Sequence, residues 1–448
     1  MRAELVELLR CPRSGGPLRL EVLEADGGEV EAGLLHGDGG TYPVVAGIPV
    51  FRDGDEEVVD LLRAGDPASA AALAVGGRLP RSRAAALVPV LAELRPTRAV
   101  SRRLARRLQR AATGAARAAL DAAVDDPDAL LRLTHLEHRR PNAEGYNYFR
   151  YRLGLPKHLV ALAAVAAAEP GPGPVLEVGC GAGHLTWQMA ATCAPRPVVA
   201  LDRELDLLWI ARHHLAPGAD QVCGDAISLP FPDGTFSLGT AFDVMSFVTA
   251  KAVAARELAR VVAPGGGTVL SSLINASVAH VFAGEPLSVE GWRRLVGADH
   301  VALADREVLE AYLAGRTPPA TSSGDDVLAG SRTLTLLAGP AATAGLDRAL
   351  EGWPHARGRL GPHPLLRTDP AVTSGRRFAR WSPSEGFARD NGDLDLYLPD
   401  ELVLSGPDVT AARTGAPTPA VEAAVATAAL IGYPERWPAD PWSSTGSG

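Results

Sequence analysis

At 448 residues the chain is too long for one ordinary domain and has room for two to four. Hydrophobic residues make up 46% and charged residues 21%, which excludes a disordered or fibrous chain and leaves ample material for a core. The formal net charge of -8 argues against a general nucleic-acid binder.

Charge is unevenly spread. Residues 1–60 carry 5 Arg against 13 Asp and Glu, whereas residues 78–117 carry 11 Arg against the single Glu93. Only two lysines occur, Lys157 and Lys251. Cys11, Cys180, Cys193 and Cys223 show no framework spacing, the usage of a reducing compartment. Glu4 and Glu7 near the start do not suit a signal peptide. The longest apolar run, Leu159 to Ala168, is well short of the roughly 20 residues that span a bilayer. A cytoplasmic location without membrane attachment is expected.

Along the chain, residues 1–56 read as short strands between turns. Pro17 to Val22 alternates like a half-buried strand, and Ala46-Gly47 reads as a tight turn between Tyr42–Val45 and Ile48–Phe51. Residues 57–155 are rich in Ala, Leu and Arg and read largely as helices. Arg102, Arg103, Arg106, Arg107 and Arg110 recur there at helical spacing. Residues 156–336 contain the α/β alternation. Residues 337–448 form an extension of uncertain fold, in which Gly352 to Gly375 reads as a loop or linker. Residues 394–404 read as a strand or hairpin. A last helix is expected from Thr418 or Pro419, and the tail after it as disordered.

The strongest chemical signal is "PVLEVGCGAGHLT", from Pro174: an apolar strand, a glycine-rich turn and a helix start. Gly179, Gly181 and Gly183 allow a sharp turn and close approach of a ligand. Glu177, two residues before the first glycine, would repel a phosphate but suits a ligand carrying an ammonium group. The next strand, "PVVALD", ends on Asp202 about 20 residues on, where α/β nucleotide folds place the carboxylate that binds ribose hydroxyls. Asp225 follows a third strand in "GDAISLPFPDGTFSL", and "RELARVVAPGGGTVLSS" supplies a helix, a turn and a fifth strand.

Together, "LEVGCGAG", "ALD", "GDAISLPFPDGTF" and "ELARVVAPGGG" closely resemble the class I S-adenosylmethionine-dependent methyltransferase superfamily, in its small-molecule subgroup. The resemblance covers roughly residues 156–275. It implies a Rossmann-like α/β core with a mostly parallel seven-stranded sheet and helices on both faces. It implies S-adenosyl-L-methionine as cofactor and S-adenosyl-L-homocysteine as product. It places Glu177 near the methionine ammonium and Gly179, Cys180, Gly181 and Gly183 at the ligand. Asp202, with Arg203 beside it, would hold the ribose, and Asp225 and Ala226 the adenine, with Ile227 alongside. Asp243, after "LGTAFDV", lies where such enzymes face the methyl group. Because the sulfonium is already activated, alignment of the acceptor is the main requirement, with or without a general base.

Upstream, "EGYNYFRYRLGLPKHL" clusters aromatics and arginines. Tyr148 and Arg150 are candidates for cofactor binding, and Tyr146 and His138 for catalysis; a packing helix is the alternative. His135 and His158 are further candidate bases.

"LLRCPRSGGPLRLE" and "YPVVAGIPVF" resemble the zinc-ribbon-like domain that accompanies some methyltransferases as activator or fusion. Cys11 and His36 supply at most two of the four ligands a structural zinc needs, so a metal-free remnant is expected. The function expected is methyl transfer to a small molecule or peptide-like natural product. A ribosomal or transfer RNA methyltransferase and a catalytically silent cofactor-binding protein are the alternatives. Nucleic acid is not the expected partner, and a homodimer stays open.

Overall fold

The computed structural model describes residues 1–76, 113–134, 149–279, 284–351, 358–368, 376–416, 418–437 and 440–442. The Arg-rich stretch from Arg102 to Arg110, and His135, His138, Tyr146 and Tyr148, lie outside the described residues, as does the tail.

The N-terminal module is a four-stranded antiparallel meander: β1 (Arg19–Asp26), β2 (Glu29–Gly37), β3 (Gly40–Val45) and β4 (Ile48–Pro49). Val45 pairs with Ile48, so Ala46 and Gly47 form the expected two-residue turn. Both have positive φ, 47° and 72°, as a hairpin turn matched to strand twist requires. The Cys11 sulfur lies 3.3 Å from the Tyr42 hydroxyl, while the His36 ring nitrogens face Thr41 and Glu21. Cys11 and His36 are thus each engaged separately. Among the described residues no cluster of three or more His, Cys, Asp or Glu is placed to hold a metal.

The core is a seven-stranded sheet in the order β10-β11-β9-β8-β5-β6-β7. Its strands are β5 (Val175–Val178), β6 (Val198–Asp202), β7 (Asp220–Cys223), β8 (Phe236–Phe242), β9 (Val262–Ile274), β10 (His300–Ala304) and β11 (Thr333–Ala338). β5 to β9 run parallel, and β11 is antiparallel to both neighbours. Every residue of β5 and β8 is buried, which explains their near-continuous apolar character. Strand order reverses between β5 and β8, and the crevice at their carboxyl ends is where such sheets bind ligands. β11 runs to Ala338.

The N-terminal module continues this sheet. Val50 bridges Cys223 of the edge strand β7 in parallel, and the Phe51 amide donates to the Cys223 carbonyl at 2.7 Å. The Arg10 amide donates to the Pro230 carbonyl, and Arg2 pairs with Asp220. Arg212 reaches Glu29 at 2.8 Å and Glu31 at 2.5 Å.

The C-terminal extension is more regular than its sequence suggests. The region read as a loop or linker contains β12 (Arg359–Pro362) and β13 (Leu366–Thr368). β13 pairs with β14 (Arg376–Arg380), and β14 with β15 (Glu401–Leu404); β12 pairs with β16 (Leu430–Tyr433). The final helix, Pro419–Ala426, is capped by Thr418, whose hydroxyl accepts from the Val421 amide. The extension packs on the helix Pro156–Ala167 in one continuous core, and the Tyr397 hydroxyl donates to the Gly154 carbonyl at 2.5 Å. Phe378 and Phe387, in the segment Gly375 to Phe387, belong to that core. Among the described residues no helix is long and apolar enough to cross a membrane.

Candidate active site

A cavity of about 730 Å³ opens at the carboxyl ends of β5, β6, β7 and β8, within the size range of small-molecule sites. Its floor is the glycine turn. Gly179, Gly181 and Gly183 have φ of 75°, 53° and 85°. Gly179 and Gly181 line the cavity. A Cβ on Gly179 would stand 2.4 Å from Val244 Cγ2, so this glycine is required both by its backbone and by its neighbour. Gly179→Ala is expected to lower the melting temperature by several degrees, read by calorimetry; an unchanged melting temperature would show that β5 and Val244 part easily. Gly183 serves helix packing instead. It sits at the N-cap of the helix His184–Thr192, where a Cβ would meet Ala211 at 2.8 Å. The Cys180 thiol is buried, donates to the Gly181 carbonyl and is not part of the lining.

Asp202, at the end of β6, lines the cavity beside the glycine turn, with Arg203 next to it. Its carboxylate accepts from the Gly181 amide at 2.8 Å and the Glu204 amide at 2.9 Å. One side chain thereby ties the glycine turn to the β6 end. Burial pushes its pKa up, while those amide hydrogen bonds oppose the rise. Asp225 follows β7, accepts from the Ile227 amide at 3.2 Å, and lines the cavity with Ala226 and Ile227. Ile227 and Phe247 leave 40% and 51% of their surfaces exposed, an apolar lip on the cavity.

Asp243 also lines the cavity. Its φ of 54° is a left-handed conformation that costs energy for a non-glycine residue. One carboxylate oxygen receives both Arg152 and Lys157, each at 2.7 Å. Burial works to raise its pKa, but the two cations win and hold it below the ordinary carboxylate value. Arg152 also favours the ionised form of Glu177, which places its charge between two carboxylates. The sequence marks the cluster that holds Arg152 and the rare Lys157, but assigns neither a role at the site. The usable signal was the rarity of lysine and the repeated arginines upstream of the cofactor strand.

Glu177 is 3% exposed and is not part of the cavity lining; its carboxylate accepts from the Thr186 hydroxyl at 2.5 Å. Burial raises its pKa to about 7 against the opposing Thr186 hydrogen bond. Arg150, expected at the cofactor, pairs with Asp128 and does not line the cavity. The structure thus brings Gly179, Gly181, Asp202, Arg203, Asp225, Ala226 and Asp243 to one cavity. It sets Cys180, Gly183 and Glu177 behind it.

Residues 175–266 match the family described as "Methyltransferase domain". Malonyl-[acyl-carrier protein] O-methyltransferase of Methylococcus capsulatus is 32% identical over 158 residues, 34% of this chain and 54% of that protein. Fatty-acid O-methyltransferase of Mycolicibacterium smegmatis is 34% identical over 127 residues, 28% of this chain and 44% of that protein. The chain thus spans about half the length of these curated relatives. Among solved structures, geranyl diphosphate C-methyltransferase from Streptomyces coelicolor A3(2) shares 15% identity, over 38% of this chain and 71% of that one, with a TM-score of 0.30. The segment that matches this methyltransferase domain, residues 175–266, is the one that carries the glycine turn, Asp202, Asp225 and Asp243.

Proposed function

We propose that the protein transfers the methyl group of S-adenosylmethionine to a largely apolar small molecule. The observation that carries this reading is that Asp202, Asp225, Asp243 and the glycine turn line one cavity, with Ile227 and Phe247 as an apolar lip. The donor set fits the cofactor. Asp202 offers carboxylate oxygens to the ribose hydroxyls, and Asp225 an acceptor to the adenine amino group. Glu177, behind Gly179, supplies negative charge for the methionine ammonium. Arg152 and Lys157 supply positive charge for its carboxylate. When bound, the cofactor brings a sulfonium methyl that needs no further activation.

The chain's own contribution is alignment. Ile227 and Phe247 would hold the apolar body of the acceptor. Asp243 is a poor general base, because two cations depress its proton affinity. Its role in this reading is to fix Arg152 and Lys157. Both curated relatives described above are named for O-methylation of acyl compounds, which favours an acyl carboxylate or a similar oxygen acceptor here.

The first test is calorimetric titration of S-adenosylhomocysteine into wild type and Asp202→Ala. The expected result is micromolar binding to wild type and at least ~10-fold weaker binding to the variant, about 1.4 kcal/mol. Equal affinity in the two proteins would remove Asp202 from the site, and absence of binding to wild type would sink the proposal.

A further inference from the structure

A second cavity, of about 420 Å³, lies beneath the C-terminal extension, and none of its lining residues lines the cofactor cavity. One wall is the helix Pro156–Ala167, through Leu159 and Leu162. The others bring in Leu313, Leu350, Val425 and Ile431. At the rim, Glu169 and Arg348 pair with each other, and the Thr317 hydroxyl donates to the Arg348 carbonyl.

His158 also lines this cavity and is only 3% exposed. The other buried histidines each have at least one backbone partner. His184 is bonded to the Phe149 carbonyl and His214 to the Ala123 carbonyl, and His363 accepts from the Leu365 amide. His158 differs from them. Among the described residues neither of its ring nitrogens has a hydrogen-bond partner, and only burial and the charges of Arg152 and His184 act on it. An imidazole without a protein partner, on a cavity whose lining mixes Leu159, Leu162 and Ile431 with Gln188, Thr192 and Thr317, is open to a ligand that supplies one. Burial, followed by the nearby Arg152, keeps the ring neutral, with one donor and one acceptor nitrogen. A hydroxyl group, itself both donor and acceptor, complements such a ring better than an ion does.

We propose that this cavity is a second small-molecule site, which takes a neutral, largely apolar compound whose hydroxyl group hydrogen-bonds to His158. The occupant would rest on the helix layer beneath the C-terminal extension, apart from the residues that line the cofactor cavity. The extension then has a role in binding as well as in packing.

The test uses the full chain labelled with ¹³C-histidine and 1-octanol as probe, with and without saturating S-adenosylhomocysteine. The His158 imidazole signal is expected to shift saturably on titration, and to do so in the presence of S-adenosylhomocysteine. His158→Phe should weaken octanol binding about fivefold, the loss of one hydrogen bond. Leu162→Trp, which fills the recess, should abolish octanol binding while S-adenosylhomocysteine still binds within twofold of wild type. That control separates failure of this proposal from failure of the cofactor assignment. No saturable shift, displacement of octanol by S-adenosylhomocysteine, or undiminished octanol binding to Leu162→Trp would each overturn it.

Discussion

At pH 8 the Glu177→Gln protein is expected to bind S-adenosylhomocysteine about 100-fold more weakly than wild type. A buried carboxylate facing an ammonium is a charge-assisted pair, and such pairs are worth roughly 1.5–3 kcal/mol. The pH profile is the sharper readout. Glu177 has its pKa raised to about 7 by burial, so in the free protein it is protonated below that point. A cationic ligand selects the ionised form. Wild-type affinity should therefore rise with pH up to about 7 and level off above it, while the Gln variant shows a flat profile. The stability of the free protein runs the other way. A carboxyl with a raised folded pKa favours folding below its unfolded pKa, and that contribution is lost as pH rises through about 7. Removing the ionisable group should thus make the ligand-free variant more stable than wild type at pH 8, by up to about 3 kcal/mol. Titration calorimetry and urea unfolding at pH 6 and pH 8 check both halves. A pH-independent wild-type affinity would take Glu177 out of ammonium binding.

The second large effect belongs to Asp243→Asn. The substitution keeps shape but leaves Arg152 and Lys157 facing a neutral amide. Arg152 is 12% exposed and Lys157 33%, so water relieves part of the penalty. Breaking a fully buried pair costs about 3–5 kcal/mol; here about 2 kcal/mol of destabilisation is expected at pH 7, by urea unfolding. The sign with pH is opposite to that of Glu177. The depressed folded pKa of Asp243 stabilises the protein above its unfolded pKa, and this is lost as pH falls through the lowered value. The gap between wild type and variant should close below pH 4. Since Asp243 is assigned to fixing two cations, the variant should lose S-adenosylhomocysteine affinity along with turnover. Full ligand affinity with turnover abolished would instead make Asp243 a catalytic base.

The core was readable because its signals are local and tied to the backbone. The buried strand before Gly179, the glycine turn and the Asp202 spacing each follow from how a parallel strand hands over to a helix. The cofactor cavity takes Val178, Gly179, Gly181 and Asp202 from those positions. Asp243 was readable as a strand-end residue, but its partners were not: Arg152 and Lys157 lie 91 and 86 residues away in sequence. Arg150 and Arg152 are two residues apart, and only the fold decides that Arg150 turns to Asp128 while Arg152 turns to Asp243. The C-terminal extension was opaque for a related reason. Its strands are three to five residues long. β12 finds β16 about 70 residues later, so no short window carries a period to read.

The bridge between Val50 and Cys223 gives the N-terminal module a consequence for how the chain may be shortened. β7 is the last strand of the core sheet, and its outer side is where Val50 and Phe51 attach. A chain starting at residue 57 would keep the cofactor cavity yet bare that side of β7, an open template on which two such molecules can pair edge to edge. Such a truncated protein should elute as dimers and larger species and precipitate on warming. The N-terminal module would then serve as a built-in guard against self-association, a duty carried by the strand pairing at Val50 and Phe51.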